Sequence, residues 1–337
     1  MRLIPVLLIA GACEVVICQA QDSFFWLSYL QRRFGYSDYS GQAAASMRAR
    51  DCPLECDCPP SFPISMYCDS RNLKQIPFVP SRMKYVYLQN NRISSIQDGA
   101  FDNATGLPFY QKRFDVNLDR LYLDHNNLTR VPTPLPRSLS DLRLSNNKIN
   151  KIHPNTFEGL ENLTSLLLNY NQIPDIGTAL KGLKSLSLLD LSNNKLKKLP
   201  GNLPDRLHQL YLEFNKINAI PDDYFRKFPK LQYVRLSNNE LTDKGIPSNT
   251  FNTTSLIELD LSYNRLQKIP SVNTNLEHLY LQANEITEFS INSFCQVIDI
   301  MSFSRLQVLR LDGNKIAHNK IPPKAALCLR LATIIDV

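Results

Sequence analysis

One eleven-residue pattern, L-x-x-L-x-L-x-x-N-x-L/I, returns ten times along this chain and limits what it can fold into. The copies run Met83–Ile93, Leu118–Leu128, Leu139–Ile149, Leu163–Ile173, Leu186–Leu196, Leu207–Ile217, Leu231–Leu241, Leu256–Leu266, Leu276–Ile286 and Leu306–Ile316. Self-similarity at a period of this kind marks a solenoid, because one short unit cannot bury its own apolar face and must stack on the next. In each copy the alternating x-L-x-L segment is expected to be a short parallel strand, leucines inward and intervening residues outward on a concave face. The asparagines at 91, 126, 147, 171, 194, 215, 239, 264, 284 and 314 are expected to turn inward after the strand, where an amide can satisfy backbone groups of adjacent turns.

Successive asparagines lie 35, 21, 24, 23, 21, 24, 25, 20 and 30 residues apart. Such steps are short for a full helix in every repeat, and the prolines at 77, 132, 200, 221 and 270 favour extended connections. The predicted architecture is an α/β leucine-rich-repeat solenoid, a curved horseshoe. Short parallel strands line its concave face, irregular, 3-10 or polyproline-like segments its convex face, and disulfide-stapled caps its ends.

Both ends of such a stack expose apolar core and need covering. Residues 1–20 carry an apolar run from Leu3 to Ile17 broken only by Glu14, which is the pattern of a signal peptide. Cys13 and Cys18 would leave with it. The six remaining cysteines sit at the two ends, with Cys52, Cys56, Cys58 and Cys68 in one group and Cys295 and Cys328 in the other, as suits an oxidising compartment. Spacing alone leaves three pairings open within the first group. The expected organisation is a 1–20 signal peptide, a short flexible tyrosine-containing extension over 21–50, a cysteine-rich N-terminal cap over 51–82 and repeats over 83–316. An enlarged penultimate repeat, the last repeat and a C-terminal cap occupy 287–337.

On the concave face Tyr87, Tyr122, Tyr211 and Tyr280 are expected at equivalent outward positions, among Arg143, Asp190, Arg235, Asp260 and Arg310. Aromatics and arginines in such places supply contact area and directed hydrogen bonds. Glu258, Asp260, Glu277 and His278 form a more acidic patch suited to lysine and arginine on a partner. The candidate ligand face is thus Tyr211, Arg235, Glu258, Asp260, His278, Tyr280 and Arg310. Asn103, Asn127, Asn162 and Asn252 head N-x-S/T sequons and are N-glycosylation candidates.

The formal net charge of +7 is spread through the turns, which argues against nucleic acid and leaves contact with anionic glycans open. The five histidines are scattered over different repeats, with no nucleophile elbow or metal-binding pair. No enzyme activity, cofactor, metal site or membrane span is expected.

The segment DCPLECDCPPSFPISMYC from Asp51, LYLDHNNLTRVP at Leu121–Pro132 and LCLRLATIID at Leu327–Asp336 resemble the small leucine-rich proteoglycans of class II, over nearly everything after Asp51. The resemblance implies disulfides Cys52–Cys58, Cys56–Cys68 and Cys295–Cys328. It also implies keratan sulfate on the N-glycans and sulfation of tyrosines in the extension, for which Tyr36 and Tyr39 beside Asp38 are the candidates. Its implied partner is fibrillar collagen, type I first, with TGF-beta-type growth factors as a further class. The expected function is a secreted extracellular-matrix protein that binds collagen and regulates fibril assembly. The alternative is a soluble ligand trap or co-receptor for a TGF-beta-type growth factor or an innate-immune ligand.

Three features depart from the family pattern. The extension is short and carries Arg32, Arg33, Arg48 and Arg50. The 35-residue step from Asn91 to Asn126 has room for another repeat but lacks its pattern, so that one repeat is missing or truncated between 92 and 117. Lys315 and Ala317 stand where the family's collagen contact has an acidic and a basic residue, so that contact does not carry over and the central strands around Arg235, Glu258 and Asp260 are the expected place for it.

Overall fold

The computed structural model describes residues 51–97, 101, 117–295 and 303–337. The signal segment, the extension with Tyr36 and Tyr39, and Asn103 lie outside the described residues. Among the described residues twelve three-residue strands form one parallel sheet in strict chain order. They are β1 (Ser65–Tyr67), β2 (Tyr85–Tyr87), β3 (Arg120–Tyr122), β4 (Asp141–Arg143), β5 (Ser165–Leu167) and β6 (Leu188–Asp190). The sheet continues through β7 (Gln209–Tyr211), β8 (Tyr233–Arg235), β9 (Glu258–Asp260), β10 (His278–Tyr280), β11 (Val308–Arg310) and β12 (Ile334–Asp336). Strands β2 to β11 are the ten pattern copies.

In β1 to β11 the middle residue points into the core, whereas Ile335 of the capping strand β12 is exposed. Met66, Val86, Leu121, Leu142, Leu166, Leu189, Leu210, Val234, Leu259, Leu279 and Leu309 are buried in one continuous cluster. Burying such a side chain contributes roughly 1.5–3 kcal/mol. Phe157, Phe251 and Phe294 fill the opposite side of the core, under convex segments that include 3-10 turns at Phe225–Lys227, Asp243–Gly245 and Ile291–Ser293. Among the described residues the α content is slight, with one helix, α1, over Ala325–Cys328.

The pattern asparagines form a second spine. Asn147 donates through Nδ2 to the carbonyls of Leu123 (3.0 Å), Leu144 (3.1 Å) and Ser145 (3.2 Å), and its Oδ1 accepts from the Leu128 N–H at 3.0 Å. The same arrangement recurs from Asn91 to Asn264, joining each repeat to the one before. A polar residue is stable there because neighbouring turns offer backbone groups that would otherwise go unpaired.

Both caps add a strand that the repeat pattern does not announce. At the N-terminus Asp57 and Tyr67 exchange backbone hydrogen bonds of 2.8 Å as an antiparallel bridge, while β1 pairs parallel with β2. Cys52–Cys58 and Cys56–Cys68 close this unit with Cα separations of 6.0 and 4.5 Å. At the other end Cys295–Cys328 joins residues 33 apart in sequence, and β12 pairs with β11. Strands β2 and β3 pair directly, Tyr85 with Arg120 and Tyr87 with Tyr122, so the sheet is continuous across the 35-residue step. Residues 98–100 and 102–116, where the repeat is expected to be missing or truncated, lie outside the described residues, as do residues 296–302 of the enlarged penultimate repeat. No helix among the described residues is long and apolar enough to cross a membrane.

Candidate ligand-binding face

Strand register turns the third strand position into a single row across the concave face. Its members are Tyr67, Tyr87, Tyr122, Arg143, Leu167, Asp190, Tyr211, Arg235, Asp260, Tyr280, Arg310 and Asp336. The N-terminal part of the row packs against itself. Tyr67 and Tyr87 stack with centroids 4.8 Å apart, and Tyr122 meets Tyr87 edge-on at 5.3 Å. The Arg143 guanidinium lies 4.1 Å from the Tyr122 ring centroid, and the Tyr122 hydroxyl donates to Asp141 at 2.7 Å. Burial, with a smaller contribution from Tyr67, pushes the Tyr87 hydroxyl up to about 12. Tyr87 and Tyr122, expected as outward contact residues, are therefore held largely by their neighbours.

From Tyr211 onward the row is partly exposed and mixes aromatic, cationic and acidic groups. Arg235 lies over Tyr211 at 5.0 Å and donates from Nε to Glu258 Oε1 at 2.7 Å. Burial by itself would lower the Arg235 pKa, but the Glu258 charge and hydrogen bond hold it above its usual value. Asp260 Oδ1 accepts from the Ser262 N–H at 2.9 Å and its hydroxyl at 2.6 Å. Arg310 is paired with Asp312 at 2.9 Å and with Asp336 at 3.4 Å.

Glu258 requires a correction. Expected in an open acidic patch, its side chain is only 9% exposed and is engaged by Arg235, with His278 Nδ1 4.0 Å from its other oxygen. It belongs to the strand position facing Tyr233 and His278, where adjacent strands enclose it. Its carboxylate accepts from Arg235 Nε, which ties the guanidinium to this enclosed position. Among the expected face residues, Tyr211, Arg235, Asp260, Tyr280 and Arg310 share one row, and Glu258 and His278 share the adjacent one.

Glu213 was not singled out by sequence reasoning. Burial, reinforced by Asp190 and outweighing Arg235, raises its pKa from 4.5 to about 7, and its Oε2 is buried without a hydrogen-bond partner. Its only sequence signal is a carboxylate two residues after the strand, where most repeats carry Ser, Asn or Gln. Beside the last repeat Lys315 Nζ lies 3.8 Å from Glu285. Asn162 and Asn252 are exposed and Asn127 is partly buried. Among the described residues no group of three His, Cys, Asp or Glu side chains could hold a metal ion.

Residues 116–173, 137–196 and 205–266 match the leucine rich repeat family, 275–297 match a further leucine rich repeat, and 51–81 match the leucine rich repeat N-terminal domain. The chain is 54% identical to fibromodulin of Bos taurus over 376 aligned positions, covering 100% of both chains. It is 60% identical over 303 residues to fibromodulin of Homo sapiens, covering 86% of this chain and 81% of the relative. Lumican of Homo sapiens is 48% identical over 304 residues, covering 85% of this chain and 89% of the relative. Among solved structures, the octameric complex of Latrophilin 3, Unc5D and FLRT2 contains a match at TM-score 0.69 and 28% identity, covering 85% of this chain and 83% of that chain. An internalin from Listeria monocytogenes, at 18% identity and TM-score 0.53 with 81% of this chain and 86% of that chain covered, shares the fold. With full-length identity to fibromodulin and the repeat architecture described above, this chain belongs to the class II small leucine-rich-repeat proteoglycans, a secreted and non-catalytic family.

Proposed function

We propose that this chain binds fibrillar collagen, type I first, through the concave row from Tyr211 to Arg310, and limits or orders the lateral growth of fibrils. The observation that carries the proposal is that row itself, Tyr211, Arg235, Asp260, Tyr280 and Arg310 side by side on a rigid parallel sheet. A triple helix is a narrow rod with repeated charge and little apolar area, so many spaced polar and aromatic contacts suit it better than one deep pocket. The contact is placed on the central strands because Lys315 and Ala317 replace the family's residues at the last repeat. Residues 1–20 act as the signal peptide, and Tyr36 and Tyr39 are the sulfation sites. Glycans on Asn103, Asn127, Asn162 and Asn252, extended as keratan sulfate, hold neighbouring molecules apart.

The test is binding of the secreted, glycosylated protein to type I collagen, with turbidity followed during fibril assembly. Saturable binding and thinner or slower fibrils are expected. Tyr280→Ala combined with Asp260→Asn should weaken binding about tenfold, the worth of one good interface contact. Unchanged binding in that variant removes the concave row from the proposal, and no binding by the parent protein removes collagen. A second reading, a trap or co-receptor for a TGF-beta-type growth factor or an innate-immune ligand, draws support from the 28% identical match within a complex of Latrophilin 3, Unc5D and FLRT2. Tight binding to a soluble factor without affinity for fibrils would favour it.

A further inference from the structure

We propose that the edge of the solenoid just past the strands carries a binding groove for a sulfated oligosaccharide, running from His125 to Phe214 and separate from the concave row. One residue before each pattern asparagine the backbone takes a positive φ, 54° at His125, 53° at Asn146, Tyr170 and Asn193, and 52° at Phe214. The row is held by a ladder of hydrogen bonds, with His125 N–H donating to the Ser145 carbonyl at 2.9 Å, Tyr170 to Ser192 at 3.0 Å and Phe214 to Ser237 at 3.0 Å. Asparagine and histidine adopt this conformation readily, whereas a bulky tyrosine or phenylalanine there is uncommon and strained. The Tyr170 and Phe214 residues are nevertheless 52% and 53% exposed, so burial offsets little of that strain. Strain kept without internal packing points to a contact outside the chain.

Between these rings lies a shallow, open depression that Asn146, Gln172 and Asn193 also line. A second ladder runs beside it, one residue after each pattern asparagine. There the exposed Lys148, Lys195 and Lys216 donate their N–H groups to the carbonyls of Leu128, Ile173 and Leu196 at 2.8–2.9 Å. Glu240 ends the cationic run one repeat later. Rings therefore stand on every second rung, amides on the rungs between, and lysines alongside. At strand spacing the rings repeat every ~10 Å, about the advance of a disaccharide along an extended glycan. Ring faces suit the C–H faces of pyranoses, the amides can donate to and accept from hydroxyls, and ammonium groups meet sulfates as point charges. The polar lining does not suit the apolar anchors of a peptide.

The probe is a heparin-derived decasaccharide, titrated against the secreted protein carrying Asn127→Gln, so that no glycan at that neighbouring sequon enters the groove. Saturable binding that weakens as salt rises is expected. Tyr170→Asn with Phe214→Asn installs the asparagine that repeats carrying Asn90, Asn146, Asn193 and Asn238 have at this position, so the fold should melt at or above the parent's temperature while binding falls about tenfold, roughly two ring contacts. Lys148→Gln with Lys195→Gln and Lys216→Gln should flatten the salt dependence, whereas Lys197→Gln with Lys198→Gln should leave it unchanged. Tyr280→Ala on the concave row should leave decasaccharide binding at the parent level. No binding by the parent, full binding by the ring variant, or equal weakening by the Lys197 and Lys198 control would overturn the proposal, the last by showing diffuse charge attraction.

Discussion

Replacing Asn239 by alanine tests whether the asparagine spine holds the stack together. Asn239 donates to the carbonyls of Leu212 at 2.9 Å, Leu236 at 3.1 Å and Ser237 at 3.2 Å, and accepts from the Ile217 N–H at 3.0 Å. Its neighbour Asn238 shows no such side-chain network, and its φ is 53°. Four hydrogen bonds at about 1 kcal/mol net each predict a loss of about 4 kcal/mol for Asn239→Ala, since the Ile217 N–H is left buried without an acceptor. Asn238→Ala should cost only about 1 kcal/mol, the penalty for placing an alanine in the left-handed region. Urea denaturation followed by far-ultraviolet circular dichroism, with the disulfides intact, measures both. Equal losses in the two variants, or a loss under about 1 kcal/mol at Asn239, would refute the view that the amides bind successive repeats together.

Three further outcomes are expected. Glu213 titrates at about 7 in the folded chain against 4.5 for an ordinary glutamate, so the folded state favours its proton and ionisation destabilises it. The penalty is absent below about pH 4.5, grows up to about pH 7 and is constant above. Glu213→Gln should therefore be roughly 3 kcal/mol more stable than the parent at pH 8 and equal to it at pH 4, as measured by urea unfolding at both pH values. Removing the C-terminal disulfide with Cys295→Ser and Cys328→Ser frees a 33-residue separation and should cost about 4 kcal/mol by loop-closure entropy, checked by the same assay. Leu259→Ala, in the middle of β9 and fully buried, should cost roughly 2–5 kcal/mol by the same measurement, whereas Lys197→Ala on the exposed surface should cost under about 0.5 kcal/mol.

The sequence by itself determined the ten pattern strands, the inward leucines, the asparagine spine and the common outward row, because each follows from alternation and period within one repeat. Position in the pattern says whether a side chain faces core or concave surface. It does not say which outward side chains meet, since the neighbours of a concave residue come from strands roughly 20–35 residues away. Tertiary structure alone therefore decided that Tyr87 and Tyr122 pack within an aromatic–arginine cluster, that Glu258 is enclosed by Arg235 and His278, and that a half-buried Glu213, with one carboxylate oxygen out of solvent, has a protonation-prone carboxyl. It also decided that the caps contribute β1 and β12, which lack the repeat pattern because pairing with one existing edge suffices to order them. The direct pairing of β2 with β3 across the 35-residue step is of the same kind. Parallel register is set by the hydrogen-bonding edges that meet, whatever the length of chain between them.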